Sequence, residues 1–146
     1  MKEEEYMIIE NFLTNRQSNN LVKYYNDNTD KAYKYNLTYP LPLKDTKVKN
    51  IIKKIKTIVK NCKLDNLEIV RWPINSYMDE HYDEGDKFAF FIYLNDDYEG
   101  GETEIINKIK VIPKKGTVLI FKNSKLLHRV NKIKQKERYT LAGWYV

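Results

Sequence analysis

The chain is poor in cysteine, histidine and arginine, and it has no long hydrophobic run. Among its 146 residues there are one Cys and two His. Cys62 cannot form a disulfide within the chain, which excludes a disulfide-stapled secreted domain and fits a reducing compartment. No segment is apolar for long enough to span a membrane, and the charged start, Met-Lys-Glu-Glu-Glu, does not resemble a signal peptide. We therefore expect a cytoplasmic protein with no membrane partner.

Charge is plentiful but mixed in sign. The 26 basic and 20 acidic residues give a formal net charge of +6. Almost all of the basic residues are Lys, interspersed with acidic ones, and such a surface is most often a solvated face. Nucleic acid is therefore disfavoured as a partner, although a basic nucleic-acid-binding protein is an alternative that predicts steeply salt-dependent binding. With 42% hydrophobic residues, the chain should fold as one globular domain, 1–146.

The first 66 residues show mainly helical patterns. A weak alternation predicts a strand over 6–12, and Thr14 is a suitable N-cap for a helix over Asn15–Asn26. Residues 26–45 are predicted to be irregular because Pro40 and Pro42 oppose a helix. Apolar residues at helical spacing predict a second helix over 46–62, with Cys62 buried in its packing and Lys on its outer face. We interpret 1–66 as helical support for the rest of the chain.

Beyond residue 67 the pattern changes to short strands separated by turn residues. The predicted strands are 67–73, 77–83, 87–95, 102–106, 110–112, 117–122, 126–133 and 138–146. Eight short strands at this spacing are typical of a sandwich or barrel. The fold class is therefore mostly β, with 67–146 as its core and two N-terminal helices against it.

The two histidines lie in settings that suit a metal. His81 and Asp83 are two residues apart, so on a strand both would point to one face. That spacing is a weak signal by itself, and His128, between Leu126 and Val130, resembles a buried core residue. Together, however, two His and one carboxylate form the facial triad of non-haem Fe(II) oxygenases. Zinc accepts the same three ligands and is the alternative metal.

An arginine on the last predicted strand suggests an anion site. Arg138 alternates with Thr140, Ala142 and Trp144, which places all four on one face. A buried guanidinium is costly unless it meets an anion, and its planar fork suits a carboxylate. Tyr93, in line with Phe91 on strand 87–95, could donate its hydroxyl to the same anion.

Residues 67–146 resemble the prolyl 4-hydroxylase-type branch of the Fe(II)/2-oxoglutarate dioxygenases. The matching segments, in chain order, are Arg71-Trp72-Pro73, His81-Tyr82-Asp83, Ile92-Tyr93-Leu94-Asn95-Asp96, Glu99-Gly100-Gly101-Glu102-Thr103, Pro-Lys-Lys-Gly-Thr-Val-Leu-Ile-Phe at 113–121, His128, and Glu-Arg-Tyr-Thr-Leu-Ala-Gly-Trp-Tyr at 137–145. Each segment is short, and their order and spacing together carry the resemblance.

The resemblance implies a double-stranded β-helix (jelly roll) and an oxygenase. His81, Asp83 and His128 would hold Fe(II), Arg138 and Tyr93 would bind the distal carboxylate of 2-oxoglutarate, and Trp144 would wall the pocket. The implied reaction consumes 2-oxoglutarate and O2, releases succinate and CO2, and hydroxylates a C–H bond; ascorbate is the expected activator.

The substrate class is inferred from the resemblance alone. The resemblance favours a prolyl residue in a peptide or protein, with a free amino acid or another small molecule as the alternative. A non-catalytic jelly-roll binding module that keeps a metal for structure is an alternative of another class. Segment 26–45 is the expected lid over the site. The candidate substrate contacts are Tyr33, Tyr35, Tyr39 and Tyr77.

Overall fold

The computed structural model describes residues 5–146, and in that part of the chain twelve β-strands accompany two α-helices. In chain order they are β1 (Tyr6–Ile9), α1 (Asn15–Asn26), β2 (Tyr39–Pro42), α2 (Lys49–Lys56), β3 (Leu64–Trp72), β4 (Met78–His81), β5 (Phe88–Tyr93), β6 (Glu99–Gly100), β7 (Thr103–Ile105), β8 (Ile109–Val111), β9 (Val118–Phe121), β10 (His128–Val130), β11 (Ile133–Lys134) and β12 (Arg138–Tyr145). Neither helix is long and apolar enough to cross a membrane.

The strands form two main antiparallel sheets. The larger sheet has the order β1-β9-β5-β12-β3-β2, the smaller β4-β10-β7-β8, and β11 pairs with β6 apart from them. Side chains of both sheets share one buried cluster, in which Tyr93 and Leu119 of the larger sheet meet Ile105 and Val111 of the smaller. This arrangement confirms the predicted mostly-β jelly roll with two N-terminal helices.

The opposite face of the larger sheet packs on the helices. Alternation along the strands turns Ile69, Ile92 and Leu141 toward this side, where they share a core with Ile51 and Ile55 of α2. The remaining residues of α2 are mostly exposed lysines. An amphipathic helix of this kind buries one stripe and solvates the rest. The helices thus cover the outer face and leave the inner face for the site.

Helix α1 begins and ends where the sequence predicted. Thr14 caps it with a capping box: its Oγ1 accepts from the Gln17 backbone N–H, and its own N–H donates to Gln17 Oε1. These two bonds pair donors that the first helical turn would leave free.

The second helix is shorter than predicted. It ends at Lys56 and not at residue 62, and Asn61 adopts a left-handed backbone conformation (φ 61°) that an α-helix cannot continue through. Cys62 therefore lies outside the helix and is only partly buried, so its predicted place in helix packing was wrong. The predicted strand 126–133 was also too long, since it is divided into β10 and β11.

Segment 26–45 is more ordered than predicted. Residues 39–42 form β2, which pairs with β3 at the edge of the larger sheet. A proline is tolerated there because an edge strand needs a ladder hydrogen bond on one side only. Before it, the Tyr33 N–H donates to the Pro40 carbonyl, and Tyr35 and Thr38 bond reciprocally. Residues 33–40 are therefore a short hairpin, called the 33–40 hairpin below.

Gly143 marks the tightest packing in the larger sheet. It lies opposite Phe90 on β5, and an added Cβ would collide with the Phe90 ring. We expect Gly143→Ala to lower the free energy of unfolding by about 1–3 kcal/mol, the usual cost of overpacking. Urea denaturation measures it. In a Phe90→Leu background the same change should cost less, and an equal cost in both backgrounds would contradict the proposed clash.

Candidate functional site

A cavity of about 1050 Å³ opens on the inner face of the larger sheet. Its walls come from both sheets and from the 33–40 hairpin. His81, Asp83, His128 and Arg138 all line it. Residues that are up to 57 positions apart in sequence are therefore brought to one space by the pairing of the strands.

His81 and His128 face each other across the β4–β10 pair. Their ring centroids are 4.2 Å apart, and Asp83 Oδ1 lies 3.2 Å from His81 Nε2 and 3.6 Å from His128 Nε2. The three ligand atoms all lie within 4.8 Å of one another. This is a set that one metal ion could bridge, and two His with one carboxylate is the facial triad.

Backbone carbonyls orient both imidazole rings. His81 Nδ1 lies 2.7 Å from the Asp79 carbonyl oxygen, and His128 Nδ1 lies 2.7 Å from that of Leu126. Because a carbonyl can only accept, each Nδ1 carries the proton, and the lone pair of the neutral ring is on Nε2. Second contacts of this kind are the usual support of metal-bound histidines.

Asp83 lies beyond the end of β4, although the strand was predicted to run over 77–83. Strand β4 stops at His81, and Asp83 is instead positioned by its N–H bond to the Asn123 carbonyl. Its Oδ2 accepts from Asn123 Nδ2 (2.8 Å) and from Trp144 Nε1 (3.4 Å). Burial opposes the charge, but the hydrogen bonds that His128 and His81 donate when their Nε2 is protonated, together with the bond from Asn123, prevail and hold the Asp83 pKa well below its usual range. The carboxylate is thus ionised and oriented.

The pKa of His81 is raised, first by its hydrogen bond to Asp83, with burial acting in the opposite direction. A proton on Nε2 excludes a metal. We expect metal affinity to fall as the pH drops through the range just above the ordinary His pKa of about 6.5. Calorimetric titration with Mn²⁺ over a pH series measures it. Affinity that does not change over this range would contradict a role for His81 Nε2 in metal binding.

Arg138 is buried and largely unpaired. It is 1% exposed, and only its Nη2 has a protein partner, Thr103 Oγ1 at 3.2 Å. Its Nε and Nη1 have none among the described residues. The guanidinium is flanked by the Trp72 and Tyr93 rings at 4.8 and 5.2 Å. Rings stabilise a cation only in part, so this arrangement is suited to an anion that enters the cavity.

Tyr93 lies behind Arg138. It is fully buried, its hydroxyl donates to Thr103 Oγ1 at 2.8 Å, and it is not among the cavity-lining residues. Its hydroxyl would have to turn away from Thr103 to reach an anion, because a phenol donates one hydrogen bond.

Another buried tyrosine, Tyr98, has a hydroxyl with no partner in the described part of the chain.

Of the predicted aromatic contacts, Tyr33, Tyr35 and Tyr77 line the cavity, as does Trp144. Tyr39 does not. It lies opposite Arg71 in the β2–β3 pair, and the guanidinium of Arg71 stacks on its ring on the helix side of the sheet. The alternation of a strand turns it away from the inner face, so the structure does not place Tyr39 in the site.

Several site residues escaped sequence reasoning. Asn123 lies just after β9 and holds Asp83 through its side-chain amide and its backbone carbonyl. Thr103 lies between Tyr93 and Arg138, and Glu68 is a buried carboxylate in the cavity wall. The period-2 pattern could have indicated the inward side of Thr103 and Glu68, but no local signal marks Asn123.

The residues present fit a metal with an organic anion beside it. Two Nε2 atoms and one Oδ atom of the triad lie close together, and the Arg138 side chain, two of whose guanidinium nitrogens have no partner among the described residues, lines the same cavity. A site of this kind can hold a divalent ion on one side and a carboxylate on the other.

Comparison with known proteins agrees with this geometry. The chain resembles a collagen prolyl hydroxylase of Paramecium bursaria Chlorella virus-1 in complex with 2-oxoglutarate (TM-score 0.74, 19% identity, 99% of this chain and 96% of that one). It also resembles a Trichoplax adhaerens prolyl hydroxylase bound to a hypoxia inducible factor peptide (0.76, 17%, 99% and 84%). A third is HygX of Streptomyces hygroscopicus with nickel, 2-oxoglutarate and hygromycin B (0.75, 10%, 99% and 83%).

At these identities the structural matches establish the fold. No curated protein sequence matches the chain. The sequence profile of the 2OG-Fe(II) oxygenase superfamily matches residues 67–146. This is more than half of the chain, and it includes the three triad residues and Arg138. The chain therefore belongs to the 2OG-Fe(II) oxygenase superfamily, which implies Fe(II) as its metal cofactor and 2-oxoglutarate and O2 as co-substrates.

Proposed function

We propose that the protein is a hydroxylase that binds Fe(II) through His81, Asp83 and His128, and 2-oxoglutarate through Arg138. The observation that carries the proposal is the shared cavity: its lining includes the three converging ligand residues and the buried Arg138, two of whose guanidinium nitrogens have no partner among the described residues. One atom of O2 enters the substrate C–H bond and the other enters succinate, with loss of CO2 from 2-oxoglutarate. Ascorbate would act as the activator that keeps the metal reduced.

When bound, Fe(II) supplies the activation of O2 that couples decarboxylation to hydroxylation. The chain supplies the geometry. Two backbone carbonyls fix the imidazoles, Asn123 and Trp144 fix the carboxylate, and Arg138 orients the distal carboxylate of 2-oxoglutarate, with Tyr93 and Thr103 behind it. Phe91, Ala142 and Trp144 give the cavity an apolar wall that excludes water from the reacting centre.

We propose a prolyl residue in a peptide or protein as the first substrate to test. Two of the structural relatives are prolyl hydroxylases, and one of them holds a peptide. A free amino acid or another small molecule is the second candidate, favoured by the antibiotic bound in HygX. The open cavity and the 33–40 hairpin at its edge support a role for residues 26–45 as a lid, with Tyr33, Tyr35 and Tyr77 as substrate contacts. A reducing, cytoplasmic location suits the single cysteine.

The test is succinate formation from 2-oxoglutarate with Fe(II) and ascorbate but no added substrate, because slow uncoupled turnover needs only the metal and co-substrate sites. Mass spectrometry of host lysate and of proline-containing peptides would then seek products heavier by one oxygen atom. A protein that binds metal but never forms succinate would be the non-catalytic binding module.

A further inference from the structure

The cavity is acidic although the protein is basic. Among the described residues, Arg138 is the only Lys or Arg that lines it, whereas seven Asp and Glu residues do. These are Asp65, Glu68, Asp79, Glu80, Asp83, Glu84 and Asp86. A cavity that concentrates one sign of charge selects ligands of the other sign.

The proposed metal and co-substrate do not account for this charge. A divalent ion, the Asp83 carboxylate, a dicarboxylate and the Arg138 guanidinium cancel one another. Glu80 has Arg129 nearby at 3.4 Å. Within residues 5–146, the other five carboxylates have no Lys or Arg at ion-pair distance. Asp65, Asp79 and Glu84 are exposed and can be solvated, so the negative charge left without a partner inside the cavity is that of buried Glu68 and half-buried Asp86.

Glu68 is the most buried of these carboxylates. It is 5% exposed, faces the cavity from β3, the strand next to the sheet edge, and lies opposite Ala142, itself a lining residue. Its one protein hydrogen bond is from the Tyr33 hydroxyl to Oε2 at 2.6 Å. Burial raises the Glu68 pKa, and the bond from Tyr33 offsets part of the rise. A carboxylate placed so deep is costly without a cation or further donors.

Aromatic side chains surround the mouth of the cavity. Tyr33, Tyr35, Tyr77 and Tyr82 are each 42–56% exposed and all line the opening. The faces of such rings attract ammonium and guanidinium groups. Burial and the hydrogen bond to Glu68 raise the Tyr33 pKa to about 12, so its hydroxyl stays a donor and orients the carboxylate. The tyrosines at the mouth of the cavity and Glu68 in its wall are thus both suited to a cation.

We infer that the substrate is cationic, and that an ammonium or guanidinium group near the hydroxylated carbon is received by Glu68 beneath the tyrosines of the 33–40 hairpin. This inference rests on the proposed function and specifies its substrate class. A basic residue flanking the target of a peptide and a free polyamine share this chemistry, and the experiment below separates them.

The experiment is calorimetric binding to the protein loaded with Fe(II) and 2-oxoglutarate without O2, so that turnover does not interfere. The probes are three proline-containing peptides that differ only in flanking Lys, Leu or Glu, and spermidine. We expect the Lys peptide to bind at least about tenfold more tightly than the Leu peptide, as for a charge-assisted hydrogen bond, and to weaken with salt. Glu68→Gln should remove most of that preference and leave the Leu peptide unaffected; Glu99→Gln, outside the cavity, should change neither.

Two results would overturn the inference: equal affinity for the Lys and Leu peptides together with no tight binding of spermidine, or a preference for the cationic probe that survives in Glu68→Gln. If Glu68→Gln does not fold, Glu68→Asp, which keeps the charge but shortens its reach, should reduce the Lys preference and leave the Leu peptide unaffected. Tight binding of spermidine without a preference for the Lys peptide would support a cationic substrate and identify it as a small amine. If the wild-type protein never forms succinate, the proposed function is wrong. The binding measurements still test the preference for a cationic ligand.

Discussion

We expect the Asp83→Ala variant to lose its metal-induced stabilisation and to form succinate at least about 100-fold more slowly. Removing a residue that only supports a metal ligand already costs about 10–100-fold, and Asp83 is the one carboxylate of the triad. A ligand at about 100 times its dissociation constant stabilises a protein by about 2.7 kcal/mol. Melting curves with and without Mn²⁺ therefore report on the site independently of turnover.

The matched control is Asp45→Ala, an exposed carboxylate on the helix side of the chain, which should keep both properties. Asn123→Ala should fall between them, because it leaves Asp83 present but without its 2.8 Å donor. Succinate production by Asp83→Ala at the wild-type rate would remove Asp83 from the metal site.

The second large effect concerns Arg138 and 2-oxoglutarate. Arg138→Ala leaves one end of the dicarboxylate without its charged partner, a loss of about 1.5–3 kcal/mol. The apparent KM for 2-oxoglutarate should then rise by about tenfold or more. Arg138→Lys should be intermediate, since an ammonium keeps the charge but not the planar fork.

Arg129→Ala is the control, because this arginine on β10 pairs with Glu80 and Glu104 and does not line the cavity. Its KM for 2-oxoglutarate should equal that of the wild type. An unchanged KM in Arg138→Ala would mean that the co-substrate is held elsewhere and that the unpaired guanidinium serves another anion.

The sequence by itself determined the elements that depend on local pattern. Helix α1 follows from the Thr14 cap, and the strands after residue 67 follow from apolar alternation and turn residues. His81, Asp83, His128 and Arg138 could be selected because motif order and spacing are properties of the chain. Strand alternation also gave the correct inward side for Arg138, Thr140, Ala142 and Trp144, all of which line the cavity.

Only the tertiary structure decided what pairing and packing control. The end of α2, the edge strand β2 and the turn of Tyr39 toward Arg71 depend on neighbours far away in sequence. Asn123 bonds Asp83 because the end of β9 lies beside Asp83 in the folded chain. The acidic cavity was also invisible in a chain of net charge +6, because a sum over residues does not show where charges meet. Folding places seven carboxylates around one space and leaves every described lysine outside it, since long flexible ammonium side chains are best solvated at the surface.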